Sequence, residues 1–137
     1  MLFKLPPTKH SIDLAQVLRF LIVGGLNTLL GLSVIFLLKA YFGLDDFVSN
    51  LIGYCIGLIN SFFLNKKWTF NHESNKSSTV LRFIFAFLIS YLANIYTVLA
   101  VRDYIGINSY LAQGSGIIPY TVIFYLTCRY YVFATKD

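Results

Sequence analysis

Charged residues are scarce in this chain. Only 12% of its 137 residues are Asp, Glu, Lys or Arg, about half the fraction that is usual in a soluble domain. Four long runs carry no charge at all, and they cover residues 20–38, 47–64, 83–101 and 104–128. A helix that crosses a bilayer needs roughly 20 mainly apolar residues. The runs therefore predict four transmembrane helices, because so little charge leaves too little polar surface for a soluble exterior.

The chain also has few groups that carry out chemistry. Cys55 and Cys128, the two cysteines, lie in or at the end of predicted spans and form neither a metal motif nor a disulfide framework. The histidines, His10 and His72, and the single glutamate, Glu73, lie in polar segments outside the spans. We therefore expect no catalytic site, no metal and no cofactor, and we do not expect an enzyme.

Carboxylates and histidines are absent from all four predicted spans. Proton-coupled carriers depend on such groups within the membrane, so any transport is expected to be uncoupled and downhill. The polar residues that the spans do contain are candidates to line a path for hydroxyl-rich cargo, and interhelical hydrogen bonding is the alternative role for each. These path candidates are Asn27, Thr28, Asn60, Ser90, Asn94 and Gln113.

The cations are distributed unequally between the two sides of the predicted spans. Nine of the eleven Lys and Arg residues fall in the N-terminal segment, between spans two and three, or after span four, and only Lys39 and Arg102 fall on the other side. The positive-inside rule therefore places both termini and the central loop in the cytoplasm. The excess of basic residues predicts contact with anionic membrane lipids and no nucleic-acid partner.

Five cations are predicted to lie at one level, the cytoplasmic boundary of the spans. They are Arg19, Arg82, Lys66, Lys67 and Arg129. Arginine forks and lysine ammonium groups both suit a phosphate, so a phosphate-binding group is one interpretation. Snorkelling of ordinary boundary residues is the other, and it is favoured for Lys66 or Lys67 taken alone. Trp68 and Tyr131 are predicted interface anchors.

A shift of 63 residues aligns the two halves of the chain. Val17–Phe20 matches Val80–Phe83 residue for residue, and Asn65–Phe70 aligns with Cys128–Phe133. Nine identities in 54 ungapped positions cluster at equivalent helix ends, and they indicate duplication, with chance similarity of two hairpins as the alternative. Because each repeat has two spans, both repeats enter the membrane from the same side.

The fold prediction is therefore an all-α membrane protein with four transmembrane helices, arranged as two tandem two-helix repeats in parallel orientation, with both termini cytoplasmic. Residues 1–137 form a single membrane domain with repeat 1 at about 17–70, a cytoplasmic loop at 71–79 and repeat 2 at about 80–133. Ser11 is expected to cap a lead-in helix. Gly53 and Gly57, four residues apart, predict close helix packing.

Two stretches resemble the GtrA-like family. Arg19–Thr28, with the sequence Arg-Phe-Leu-Ile-Val-Gly-Gly-Leu-Asn-Thr, begins span one, and Asn65–Phe70, with the sequence Asn-Lys-Lys-Trp-Thr-Phe, ends span two. Arg82-Phe83 and the weaker Arg129–Phe133 segment fit the same pattern, so the resemblance extends over about residues 17–133. The second half has Thr127-Cys128 where the family pattern would place an asparagine.

The resemblance implies a function in cell-surface polysaccharide or O-antigen glycosylation. It implies that a polyprenyl-phosphate-linked monosaccharide is flipped across the bacterial cytoplasmic (inner) membrane by a multi-pass protein whose partner is a membrane glycosyltransferase. The alternative is a non-transporting anchor that recruits that glycosyltransferase. Because four spans form a thin wall around a polar path, a homo-oligomer is a further possible arrangement.

Overall fold

The computed structural model describes residues 12–73 and 76–134, which form helices and short connections. Within this part of the chain there are four helices long and apolar enough to cross a membrane, so the prediction of an all-helical chain with four spans is confirmed. The α-helical segments are α1 (Leu14–Phe42), α2 (Asp46–Leu64), α3 (Ser77–Ala100) and α4 (Ser109–Thr127). Three of these helices, α2, α3 and α4, are extended by π-helical turns at Asn65–Thr69, Val101–Ile105 and Cys128–Val132.

The first helix runs without interruption from its cap to its end. A side-chain oxygen of Asp13 accepts a hydrogen bond from the Ala15 amide at 3.0 Å, so Asp13 is the N-cap. Ser11, the predicted cap, lies outside the described residues. Gly43 ends the helix in the left-handed conformation with φ of 62°, which glycine adopts without steric cost. The lead-in segment and span one are therefore one helix of 29 residues.

The described residues fall into two compact units, one ending at Asn71 and the other beginning at His72. In the first unit α1 packs against α2 through glycine. A Cβ atom added at Gly53 would lie 2.5 Å from Ile35 Cγ1 and 2.9 Å from the Gly31 carbonyl oxygen. Only a residue without a side chain fits at this crossing, so the close packing expected of Gly53 is present.

The second unit has an equivalent crossing between α3 and α4. A Cβ atom added at Gly116 would lie 2.7 Å from both Asn94 Nδ2 and Val98 Cγ2. Asn94 and Val98 lie 63 residues after Gly31 and Ile35, the same shift that separates Gly116 from Gly53. The correspondence supports the predicted duplication. In the second crossing the amide of Asn94 stands at the position equivalent to Gly31.

Aromatic rings close one end of each unit. Phe20 and Phe70 meet edge to face with centroids 6.2 Å apart. The equivalent Phe83 and Phe133 lie 6.1 Å apart, and the ring of Phe124 packs 5.3 Å from Phe83. The Phe20–Phe70 and Phe83–Phe133 contacts join the first helix of each unit to the segment that follows its second helix.

The polar loop is shorter than the sequence predicts. Residues 77–79, expected in the loop at 71–79, form the first turn of α3, and Thr79 is buried. Helix formation there brings Thr79 onto the packed side of α3, whereas composition alone assigns Ser and Thr to the loop.

The two units differ in how their first helices end. The π-helical turn Val101–Ile105 follows α3, whereas α1 stays α-helical through Phe42.

The Gly53 crossing is testable with a matched glycine in the same unit. Gly53→Ala should lower the free energy of unfolding by about 1–3 kcal/mol, because the added methyl group meets the Gly31 backbone as well as Ile35. Gly25→Ala is the control, since its added Cβ would meet no atom within 4 Å apart from its neighbours in the chain and the backbone of its own helix. Denaturant unfolding in micelles measures both variants. Equal stability of the two variants would contradict the close crossing.

Candidate functional site

Each unit ends in the same backbone feature. After α2 the chain continues through the first exit segment, Asn65–Phe70, in which the Phe70 amide donates to the Asn65 carbonyl oxygen at 2.8 Å. After α4 it continues through the second exit segment, Cys128–Phe133, in which the Phe133 amide donates to the Cys128 carbonyl oxygen at 2.8 Å. These bonds span five residues, which defines a π-helical turn, and such turns occur frequently at functional sites.

The π turn places equivalent positions on equivalent faces. Asn65 and Cys128 are buried, as are Thr69 and Val132. Trp68 and Tyr131, the predicted interface anchors, are both exposed. Their exposure is compatible with contact to a lipid headgroup layer, and their anchoring role stays a prediction.

In the first unit an arginine from α1 reaches the exit segment. Arg19 Nη1 donates to the Trp68 carbonyl oxygen at 3.4 Å. Lys66 is only 8% exposed, and its Nζ lies 5.9 Å from the centroid of the Phe62 ring. Lys67, the next residue, is exposed. The two lysines therefore differ: Lys67 fits the snorkelling interpretation, whereas the burial of Lys66 does not.

The second unit repeats this arrangement with different side chains. The guanidinium carbon of Arg82 lies 5.3 Å from the centroid of the Tyr131 ring, a distance typical of a cation–π contact. Arg129 Nη1 donates to the Tyr125 hydroxyl oxygen at 3.0 Å. Arg82, Tyr131, Arg129 and Tyr125 lie 63 residues after Arg19, Trp68, Lys66 and Phe62. Within each unit the predicted cations thus lie together, and their union into one group of five stays a prediction.

The sequence matches the GtrA/DPMS transmembrane domain family over residues 19–133. The chain belongs to this family. It is also similar to the cell wall teichoic acid glycosylation protein GtcA of Listeria monocytogenes, with 22% identity over 131 residues that cover 93% of this chain and 90% of GtcA. The family resemblance predicted from the two exit segments and the Arg-Phe pairs is confirmed. Four apolar helices and a transmembrane family domain make this a multi-pass membrane protein.

The polar span residues of this GtrA/DPMS family member divide into two groups. Asn60 Nδ2 donates to Asn27 Oδ1 at 2.7 Å, so these two path candidates come together between α1 and α2. The hydroxyls of Thr28 and Ser90 instead donate to carbonyl oxygens of their own helices, at 3.1 and 2.7 Å. A hydroxyl bonded one turn back is satisfied within its helix, so neither is needed to join helices.

Two further path candidates lie in the second unit. Asn94 packs against Gly116 at the crossing of α3 and α4, and Gln113 is exposed.

Among residues 12–73 and 76–134, no three His, Cys, Asp or Glu side chains lie close enough together to hold a metal ion.

The site predictions omit two buried polar residues, Asn65 and Thr69. Asn65 is 1% exposed and Thr69 is 3% exposed. Asn65 Nδ2 donates to the Ser61 hydroxyl at 3.1 Å, but Asn65 Oδ1 and Thr69 Oγ1 have no hydrogen-bond partner within the described residues. Both residues belong to the segment that carries the family resemblance. Their inward orientation continues a stripe of buried small residues at every fourth position of α2, Ser49, Gly53, Gly57 and Ser61, and this spacing is the signal in the sequence that could have located them.

The Asn27–Asn60 hydrogen bond is testable by a double-mutant cycle. Replacing each residue with alanine, singly and together, should give a coupling free energy of about 0.5–2 kcal/mol in the unfolding equilibrium, the range for interhelical hydrogen bonds in membranes. The matched cycle of Thr28→Ala with Asn60→Ala should give nearly none, because Thr28 bonds to Gly24 of its own helix. Equal coupling in the two cycles would contradict the interhelical bond.

Proposed function

We propose that this protein moves a polyprenyl-phosphate-linked monosaccharide from the inner to the outer leaflet of the bacterial cytoplasmic membrane. The sugar would serve glycosylation of a cell-surface polysaccharide. Membership of the GtrA/DPMS family supports this proposal, as does similarity along 93% of the chain to a Listeria protein named for teichoic acid glycosylation.

The observation that carries the proposal is the position of the basic side chains. Arg19 contacts the first exit segment and Arg82 contacts the second, so each unit brings cations from two places in the sequence to one end of its apolar helices. A lipid phosphate lies at the same depth as helix ends, where arginine and lysine can neutralise it without entering the hydrocarbon. The lipid tail would then remain in the bilayer throughout.

The chemistry available in the spans fits movement of a neutral sugar. Amides such as Asn27, Asn60 and Asn94 exchange hydrogen bonds with hydroxyls, and they carry no charge whose burial would be costly. A carboxylate is absent from the apolar stretches of all four spans, so the proposed translocation is uncoupled from protons and follows the concentration gradient of the lipid-linked sugar. The protein would make and break no covalent bond.

The proposal also includes orientation and partners. Both termini and the central connection lie in the cytoplasm, and the two repeats enter the membrane from the same side. The excess of basic residues favours that orientation, and the correspondences at a shift of 63 residues support the parallel repeat. A membrane glycosyltransferase that makes the lipid-linked sugar would be the partner, and a second copy of the chain could complete the wall of the path.

The orientation predicts which cysteines a membrane-impermeant thiol reagent can reach. In a background with Cys55 and Cys128 replaced by alanine, Glu73→Cys should react only in opened cells, and Tyr104→Cys should react in intact cells. Both native side chains are exposed at the ends of spans, so access is limited by the membrane alone. Labelling of Glu73→Cys in intact cells would show that the proposed orientation is wrong.

The phosphate contacts predict the effect of neutralising each arginine. Arg19→Gln and Arg82→Gln should each weaken binding of the lipid-linked sugar roughly tenfold to a hundredfold, because a hydrogen bond to a charged group contributes about 1.5–3 kcal/mol. Lys76→Gln, which removes an exposed cation outside the spans, is the control. Binding and translocation are measured in vesicles that contain the purified protein and labelled polyprenyl-phosphate glucose.

The same experiment distinguishes a flippase from an anchor. A flippase loses translocation when either arginine is neutralised, even though the protein still inserts into the membrane. An anchor shows no translocation in vesicles and tolerates both substitutions. Its function in glycosylation is lost only in variants with which the glycosyltransferase no longer co-purifies. Parent-like binding and translocation by both arginine variants would contradict the proposed phosphate contacts.

A further inference from the structure

We propose that the first exit segment binds hydroxyl groups of the lipid-linked sugar through Asn65 and Thr69, and that the second exit segment does not. The inference rests on the proposed function and assigns the recognition of the sugar to one half of the molecule. It concerns two residues that differ from the cations predicted to bind the phosphate.

The first argument is the cost of leaving these groups as they are. Asn65 Oδ1 and Thr69 Oγ1 are both buried and have no hydrogen-bond partner within the described residues. A buried polar atom that loses its bonds to water and gains none in return destabilises the folded state. Two such atoms four residues apart in one π turn indicate a position where a polar ligand supplies the missing bonds.

The second argument is the type of hydrogen bond that each atom can make. Asn65 Oδ1 can only accept, whereas the Thr69 hydroxyl can donate and accept. A phosphodiester presents only acceptors, so it could satisfy Thr69 and the ammonium of Lys66 but never Asn65 Oδ1. A sugar next to the phosphate presents hydroxyl donors, so the combined headgroup matches all three side chains.

The third argument is the contrast with the second exit segment. The residues equivalent to Asn65 and Thr69 are Cys128 and Val132, which are buried in the same positions of the same turn. Valine has nearly the shape of threonine without the hydroxyl, and a thiol is a weak hydrogen-bonding group. The two exit segments therefore share a backbone but differ in the one property that hydroxyl recognition needs.

The test uses Trp68, the only tryptophan in the chain, which lies between Lys66 and Thr69 in the first exit segment. Its fluorescence is titrated in nanodiscs with two probes, polyprenyl-phosphate glucose and the methyl ester of the same polyprenyl phosphate, which keeps the phosphodiester charge without the sugar. The parent should bind the glucose-bearing lipid more tightly. Asn65→Cys and Thr69→Val, which introduce the residues of the second exit segment, should each reduce that preference roughly two- to tenfold, the value of one neutral hydrogen bond.

Three controls define the result. Thr69→Ser keeps the hydroxyl and should keep the preference for the glucose-bearing lipid. Val132→Thr and Cys128→Ser alter the second exit segment and should leave the preference at the parent value. Lys66→Gln should weaken binding of both lipids together, because it acts on the phosphate that the two probes share.

The outcomes separate this inference from the proposed function. If Asn65→Cys and Thr69→Val bind both lipids as the parent does, a buried water satisfies these atoms and the inference is wrong, while the proposed function stands. A second outcome is that the parent prefers the glucose-bearing lipid and both variants lose this preference, but neither the parent nor the variants translocate that lipid. In that case hydroxyl recognition holds and the flippase proposal fails. A parent that binds neither lipid overturns both.

Discussion

Each half of this protein depends on a close helix crossing at a glycine. Lipid tails solvate apolar side chains as well as other side chains do, so a hydrophobic force does not hold membrane helices together and close contact must. At Gly53 the backbone of α2 approaches Gly31 and Ile35, and at Gly116 that of α4 approaches Asn94 and Val98. These crossings set the distance between the paired helices, and the contacts at the helix ends follow from that distance.

The exit segments show how one backbone supports two chemistries. Both are π-helical turns closed by a hydrogen bond from a phenylalanine amide, and in both the phenylalanine ring packs against a phenylalanine near the start of the first helix of the unit. The first turn holds buried Asn65 and Thr69, whereas the second holds Cys128 and Val132. The two halves thus share the packing of this turn, while only the first has buried asparagine and threonine side chains in it.

Some features of the site follow from local sequence and others do not. The excess of cations at helix ends is sufficient to predict that Arg19 lies near the first exit segment, because both belong to one boundary. The roles of individual polar residues are not predictable in this way. Thr28 and Asn27 are neighbours in sequence, yet the Thr28 hydroxyl bonds to its own helix and the Asn27 amide reaches Asn60 of α2. Position around the helix axis decides between these partners.

The sequence by itself determined the class of the protein, the number of spans and the family, because partition into a membrane depends on the summed hydropathy of a run of residues and not on its neighbours. It also aligned the two exit segments with each other, at a shift of 63 residues. Only the tertiary structure decided that Lys66 points inward and Lys67 outward, and that Asn65 and Thr69 are buried together. The physical reason is that the buried face of a helix is determined by the helix it packs against, and the first exit segment packs against α1, a segment distant in sequence.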